Sequence, residues 1–148
     1  MSVGQLLKQK GKATVYHIKA DAPLCDCLKM LNDKRIGALL VMDRKGNLEG
    51  LISERDVLHT AHKTRGKMCD IPVRKVMTPR KKLLVTSRDN SIQQVMEMMT
   101  KNRVRHLPIL DGEKVVGVVS IGDVVKGLLD QLIDENRQMK DYIYGKYA

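Results

Sequence analysis

The chain has 148 residues, 43% of them hydrophobic, and 27 Lys and Arg against 17 Asp and Glu give a formal charge of +10. That length allows one or two small domains with a buried core, each half marginal alone; no apolar run approaches the roughly 20 residues that span a bilayer, and the opening MSVGQLLKQKGK lacks the apolar stretch and cleavage site of a signal peptide. The positive charge points to phosphate-bearing partners, while Cys25, Cys27 and Cys69, an odd number without a CxxC pair, are expected as reduced thiols in a cytoplasmic protein, with Cys27 in the core.

In chain order, Val3, Leu6 and Leu7 among polar residues predict a short helix over 2–10. Thr14–Ile18 reads as a strand. Asp21 before Pro23 is a start signal for a helix running to about Lys34, and Leu24, Cys27, Leu28 and Leu31 share one face of it. Strands at about 38–42 and 48–52 flank the turn DRKGN, and a helix from Ser53 fades by Thr64. Residues 65–82 contain Gly66, Pro72 and Pro79 and cannot form one helix. They carry Arg65, Lys67, Arg74, Lys75, Arg80, Lys81 and Lys82 against Asp70 alone, a run whose simplest reading is a solvated basic face. A strand follows at Leu83–Thr86. Asp89 or Asn90 is expected to cap a helix ending near Asn102, with Ile92, Val95, Met96 and Met99 on its apolar face. After strands at about 107–110 and 115–119, a last helix starts near Ser120. Its apolar stripe, from Val124 through Leu132 and Ile133 to Met139, is longer than one core needs and predicts a homodimer.

The chain repeats itself. GLISERD at Gly50–Asp56 returns as GVVSIGD at Gly117–Asp123, so Ser53 and Asp56 match Ser120 and Asp123, 67 residues on. RIGALLVMD at 35–43 matches RVRHLPILD at 103–111. A period this long exceeds common solenoid repeats and points to two similar subdomains. Residues 1–13 are then an N-terminal helical arm, 14–64 the first repeat, 65–82 a basic linker, 83–130 the second repeat and 131–148 an extension of the last helix.

Serine followed three residues later by an acid is close to a capping box, which by itself needs no ligand. The same groups suit a nucleotide. A helix N-terminus favours phosphate, a carboxylate can accept from both ribose hydroxyls, and Gly50 or Gly117 would let a ligand approach the backbone. Arg55 at one site, and Arg105 with His106 at the other, can neutralise phosphate.

Two repeats with these paired phrases, joined through VRKVMTP, resemble a tandem pair of CBS domains, the Bateman module, over about Thr14–Leu129. The resemblance implies an α+β fold of two βαββα repeats packed through their sheets with pseudo-two-fold symmetry. It implies association of two pairs into a four-domain disc, and binding of AMP, ADP, ATP, NAD or S-adenosylmethionine in clefts between the repeats, without catalysis. Carried over by motif, Asp123 would hold the ribose, Ser120 the phosphate side, and Arg105 and His106 the phosphates, with Tyr16, Ile36 and Ala38 lining the adenine slot. In the second cleft Asp56, Ser53 and Arg55 take those polar parts, Thr78, Leu84 and Val104 contribute, and Gly37 leaves room. The first repeat has GKAT where the second is preceded by Met77–Thr78, which displaces Thr14. The cleft with Asp123, richer in phosphate-binding groups, is expected to bind AMP or ATP; the roomier cleft suits NAD.

Other classes fit less well. Neither serine has the base and orienting group that a nucleophile needs, and His59 and His62 with Asp56 lack a fourth metal ligand. No catalytic residue and no metal is expected. RNA binding through the basic surface is the alternative function, but Phe and Trp are absent and only four Tyr are present, so no stacking platform is visible.

Overall fold

A computed structural model describes residues 1–11 and 15–145; Thr14, expected to open the first strand, lies outside the described residues. The chain divides into two compact units, one of Thr14–Val85 with Leu110–Val116, the other of Met1–Ala13, Thr86–Ile109 and Gly117–Ala148.

In the first unit, β1 (His17–Ile18) runs parallel to β2 (Ala38–Met42), which forms an antiparallel hairpin with β3 (Leu48–Ser53). The hairpin turn is held by Asp43, whose side chain accepts from the Lys45 and Asn47 backbone N–H groups at 2.9 Å each, and Gly46 supplies the positive φ of 82° that the turn requires. The fourth strand of this sheet comes from the linker. β4 (Thr78–Pro79) pairs antiparallel with β3, Leu51 opposite Thr78; proline is tolerated there because β4 is an edge strand. No sequence signal announces this strand, since two residues carry no periodicity.

Helix α2 (Leu24–Lys34) buries Leu24, Cys27 and Leu31, the predicted face, into a core with Ile18, Leu39, Val41, Ile52 and Val73. Asp21 does not cap it. The N-cap is Pro23, without a side-chain bond, and the first N–H groups are satisfied from the linker: Leu24 donates to the Ile71 carbonyl at 2.8 Å and Cys25 to that of Cys69 at 3.3 Å. The same contact joins Cys25 to Cys69 in a disulfide, with Cα atoms 4.6 Å apart. The expectation of three reduced thiols is corrected for two of them, and cysteine usage then gives no argument for a reducing compartment. Closing a loop across a sequence separation of 44 residues should add about 2–4 kcal/mol to stability. Urea unfolding with and without dithiothreitol is therefore expected to differ by that amount, and Cys69→Ser should show the lower value without reductant. Equal midpoints would show the pair to be unbonded in solution.

Helix α3 (Glu54–Thr64) completes the repeat. The rest of the linker forms two 3-10 turns, Val73–Lys75 and Arg80–Lys82, with Val73 buried as an anchor in the core. Its basic side chains Arg65, Lys67, Arg74, Lys75, Arg80, Lys81 and Lys82 are exposed, and among the described residues none of them takes part in an ion pair.

Residues 86–143 form β5 (Thr86–Ser87), α4 (Ile92–Asn102), β6 (His106–Asp111), β7 (Lys114–Ser120) and α5 (Ile121–Ile143), with sheet order β5-β6-β7; all but Leu110–Val116 belong to the second unit. Ile92, Val95 and Met99 are buried, as the helical spacing requires. The cap of α4 is Ser91, not Asp89 or Asn90: its hydroxyl accepts from Gln94 N–H at 3.1 Å, and the Gln94 side chain accepts from Ser91 N–H at 2.8 Å. Asn90 instead closes the preceding turn, accepting from the Thr86 hydroxyl at 3.0 Å and the Ser87 N–H at 3.1 Å.

The N-terminal segment forms α1 (Val3–Lys10), itself capped by a Ser2–Gln5 box. Val3 N–H donates to the Asn90 carbonyl at 2.8 Å and Gly4 N–H to that of Arg88 at 3.0 Å, while Val3 and Leu6 are buried. With Ile92 N–H donating to the Met1 carbonyl at 3.0 Å, three backbone bonds and two buried side chains therefore fix the arm to the second unit.

Candidate functional site

The two repeated phrases end their strands in the same way. Ser53 closes β3 and caps α3; Ser120 closes β7 and caps α5. In each case the serine hydroxyl accepts from the N–H of the aspartate, at 3.3 Å for Asp56 and 3.1 Å for Asp123, and the aspartate Oδ2 accepts from the serine N–H at 2.9 Å. Both are complete capping boxes, so helix capping accounts for the spacing of Ser and Asp. It leaves part of each carboxylate unused. Among the described residues every hydrogen bond to the two carboxylates converges on Oδ2, and each Oδ1 remains as an acceptor.

A second matched bond brings the upstream phrase to each helix start. Glu54 N–H donates to the Gly37 carbonyl and Ile121 N–H to the Arg105 carbonyl, both at 2.9 Å. Arg105 and its neighbour His106 therefore lie next to Ser120 and Asp123, with Arg105 exposed and His106 half-buried. In the first unit, Gly37, Ser53, exposed Arg55 and Asp56 are gathered in the same way, and Ala38 pairs in register with Ser53. Thr78 stands on β4 beside Leu51, two residues from Ser53. Tyr16 and Ile36 pack half-buried on the first unit's core, and the Tyr16 carbonyl accepts from Leu40 N–H at 3.4 Å. Lys34 Nζ sits 5.3 Å from the centre of the Tyr16 ring, so a cation already covers one face of a residue expected to line an adenine slot. Leu84 and Val104 are half-buried, and Val104 N–H donates to the Met99 carbonyl at 3.0 Å.

The glycines of the two phrases serve a different purpose from the one expected. Rather than admit a ligand, each admits the protein itself. A Cβ at Gly50 would press into the Thr78 carbonyl oxygen and stand 2.9 Å from Met77 Sδ; one at Gly117 would stand 2.9 Å from Leu7 Cδ2 of α1.

The carboxylates also differ electrostatically. Asp56 accepts from the Ser53 hydroxyl at 3.1 Å; Asp123 accepts from Lys10 Nζ of α1 at 2.8 Å, an ion pair no sequence signature announced. Burial pushes the Asp123 carboxyl up, but the Lys10 ammonium and the Ser120 N–H outweigh it and hold the group below the usual carboxylate range. Beneath the other site, burial, assisted by the charge of Asp56, pushes the Cys27 thiol up to about 11, which keeps it protonated and unreactive as a core residue.

Among the described residues no group of His, Cys, Asp and Glu could hold a metal ion. A concavity of about 660 Å³ lies elsewhere, on the linker beside the disulfide, lined by residues 66–72 and Lys75; it contains none of the expected site residues.

The family model described as CBS domain matches this chain twice, at residues 12–63 and 73–130. The chain belongs to the CBS-domain family. As a tandem CBS pair it is 29% identical over 151 residues to the "CBS domain-containing protein CBSX3, mitochondrial" of Arabidopsis thaliana, an alignment covering 99% of this chain and 73% of that one. The fold matches a crystal structure of a CBS-domain containing protein from Agrobacterium tumefaciens with a TM-score of 0.81 and 31% identity, over 86% of this chain and 98% of that one. It also matches a CBS domain pair solved in complex with 5′-methylthioadenosine and S-adenosyl-L-methionine, with a TM-score of 0.74 and 20% identity, over 88% and 98% of the two chains. Among the described residues no helix of this CBS pair is long and apolar enough to cross a membrane.

Proposed function

We propose that this CBS pair is a regulatory module that senses adenosine-containing nucleotides, AMP first, with ATP, ADP or NAD as alternatives, and passes the signal to a partner protein or through its own oligomer. The observation that carries this reading is the matched pair of carboxylates at the starts of α3 and α5, each anchored through Oδ2 and each keeping Oδ1 to accept from a ribose hydroxyl. Asp123 takes the ribose and Ser120 the phosphate side, with Arg105 and His106 on the phosphates. Asp56, Ser53 and Arg55 take the polar roles of a second site, with Gly37, Thr78 and Leu84. The adenosine ligands named for one CBS pair of the same fold support the choice of ligand class.

No catalysis is assigned. Both serine hydroxyls are engaged in capping. The signal needs a receiver, and α5 supplies a surface for one. From Val125 onward Leu129, Leu132, Ile133, Met139, Tyr142 and Ile143 are exposed, most of them by more than half. A second copy of the chain is the partner we assign to this face, forming a homodimer and so a disc of four CBS domains.

A thermal-shift panel of AMP, ADP, ATP, NAD and S-adenosylmethionine tests the reading. A ligand at about 100 times its dissociation constant adds roughly 2.7 kcal/mol of stability, and AMP is expected to give the largest response. The exposed cations of the linker, none of them in an ion pair among the described residues, favour RNA as the second reading. RNA held by them would lose affinity steeply with salt, whereas AMP would not. Tighter binding of random RNA than of AMP at near-physiological salt would reverse the order of the two readings.

A further inference from the structure

Asp123 is occupied before any ligand arrives. Its Oδ2 accepts from the Ser120 N–H at 2.9 Å and from Lys10 Nζ at 2.8 Å, and Lys10 also reaches the Val118 carbonyl at 3.5 Å. Two donors fill the acceptor capacity of one carboxylate oxygen. A diol that donates to both Oδ1 and Oδ2 therefore has to displace the ammonium. Among the described residues the Asp56 site has no such competitor, because the second donor there is the neighbouring Ser53 hydroxyl, which can rotate away.

Lys10 is held in place rather than sampling solvent at random. It ends α1, whose start is fixed by the Val3 and Gly4 backbone bonds to Asn90 and Arg88, by the Ser2–Ser91 bridge and by burial of Val3 and Leu6. Leu7, one turn before Lys10, fills the space left by Gly117. The arm thus delivers one cation to one carboxylate across 113 residues of sequence.

We infer that Lys10 is an affinity-setting residue of the Asp123 site: it competes with the ribose diol for the carboxylate, so ligand binding there is coupled to release of Lys10, while the Asp56 site lacks this control. The inference rests on the reading that Asp123 holds a ribose. The coupling makes the N-terminal arm responsive to occupancy, since a ligand that displaces Lys10 removes the arm's polar contact at its end. The side chains are one-third and about one-fifth exposed (33% and 22%), which places the pair among weak ion pairs and bounds the effect at about threefold to fivefold in affinity.

Adenosine is the probe of choice because it carries the diol without charge, so removing a lysine cannot alter its binding by long-range attraction. Calorimetric titration of adenosine into the full chain is expected to show about threefold to fivefold tighter binding for Lys10→Met. Lys10→Arg, which keeps a cation on Asp123, should match the wild type. So should Lys8→Met, which removes an equal charge from the same helix. Adenosine binding that is unchanged or weaker in Lys10→Met, in a protein where Asp123→Asn still impairs it, overturns the competition while leaving the ribose reading intact. Adenosine binding that is indifferent to Asp123→Asn overturns the ribose reading, and the role of Lys10 with it.

Discussion

Gly50→Ala is expected to destabilise the protein by about 1–3 kcal/mol, and Gly117→Ala by less than about 1 kcal/mol, although the two glycines occupy the same place in their repeats. At Gly50 the obstacle is backbone. The added methyl meets the carbonyl oxygen of Thr78, which belongs to β4 and is fixed by pairing to β3, with Met77 Sδ close behind. Relief requires β4 to move away, which breaks its pairing and shifts Thr78, one of the proposed site residues. At Gly117 the obstacle is the end of the Leu7 side chain, which can turn to another rotamer. Urea unfolding of both variants at unchanged slope measures the difference. Equal costs would show that the two glycines serve one shared backbone requirement instead of two different neighbours.

That contrast shows what could be read from the sequence. Apolar spacing placed α2 and α4 and their buried faces, and the repeated phrases placed both capping boxes, because these signals are local and occur twice. Contacts made far along the chain left no local pattern. The edge strand at Thr78–Pro79, the linker carbonyls that satisfy the start of α2, and the Cys25–Cys69 pair all depend on the path of the linker. Lys10 and Asp123 lie 113 residues apart. The cap of α4 is legible in the sequence, since Ser91 with Gln94 is a capping box, but Asp89 and Asn90 are cap-forming residue types too and compete with it as expected caps. The glycines were recognised, but their neighbours could not be, so a ligand was expected where the protein fills the space itself.

The largest functional effect is expected from the two carboxylates. Hydrogen bonds to a charged group contribute about 1.5–3 kcal/mol each, so losing the charge at one site should cost about tenfold or more in AMP affinity. Alanine would also remove the acceptor of the capping box, mixing a folding effect into the result. Asparagine keeps the shape and one acceptor oxygen for the serine N–H, so it separates the cap from the ligand. Asp123→Asn should weaken AMP more than Asp56→Asn does, because Arg105 and His106 stand beside Asp123, whereas Gly37 and Ala38 take their places at the other site. Competition from Lys10 trims that advantage by only a few fold.

Calorimetric titration of AMP into the wild type, the two single asparagine variants and the double variant, all shown to keep their unfolding midpoints, tests the ribose assignment most directly. Graded loss in the singles and no measurable binding in the double variant are expected. Undiminished AMP binding by the stably folded double variant would reduce both aspartates to helix caps and contradict that assignment.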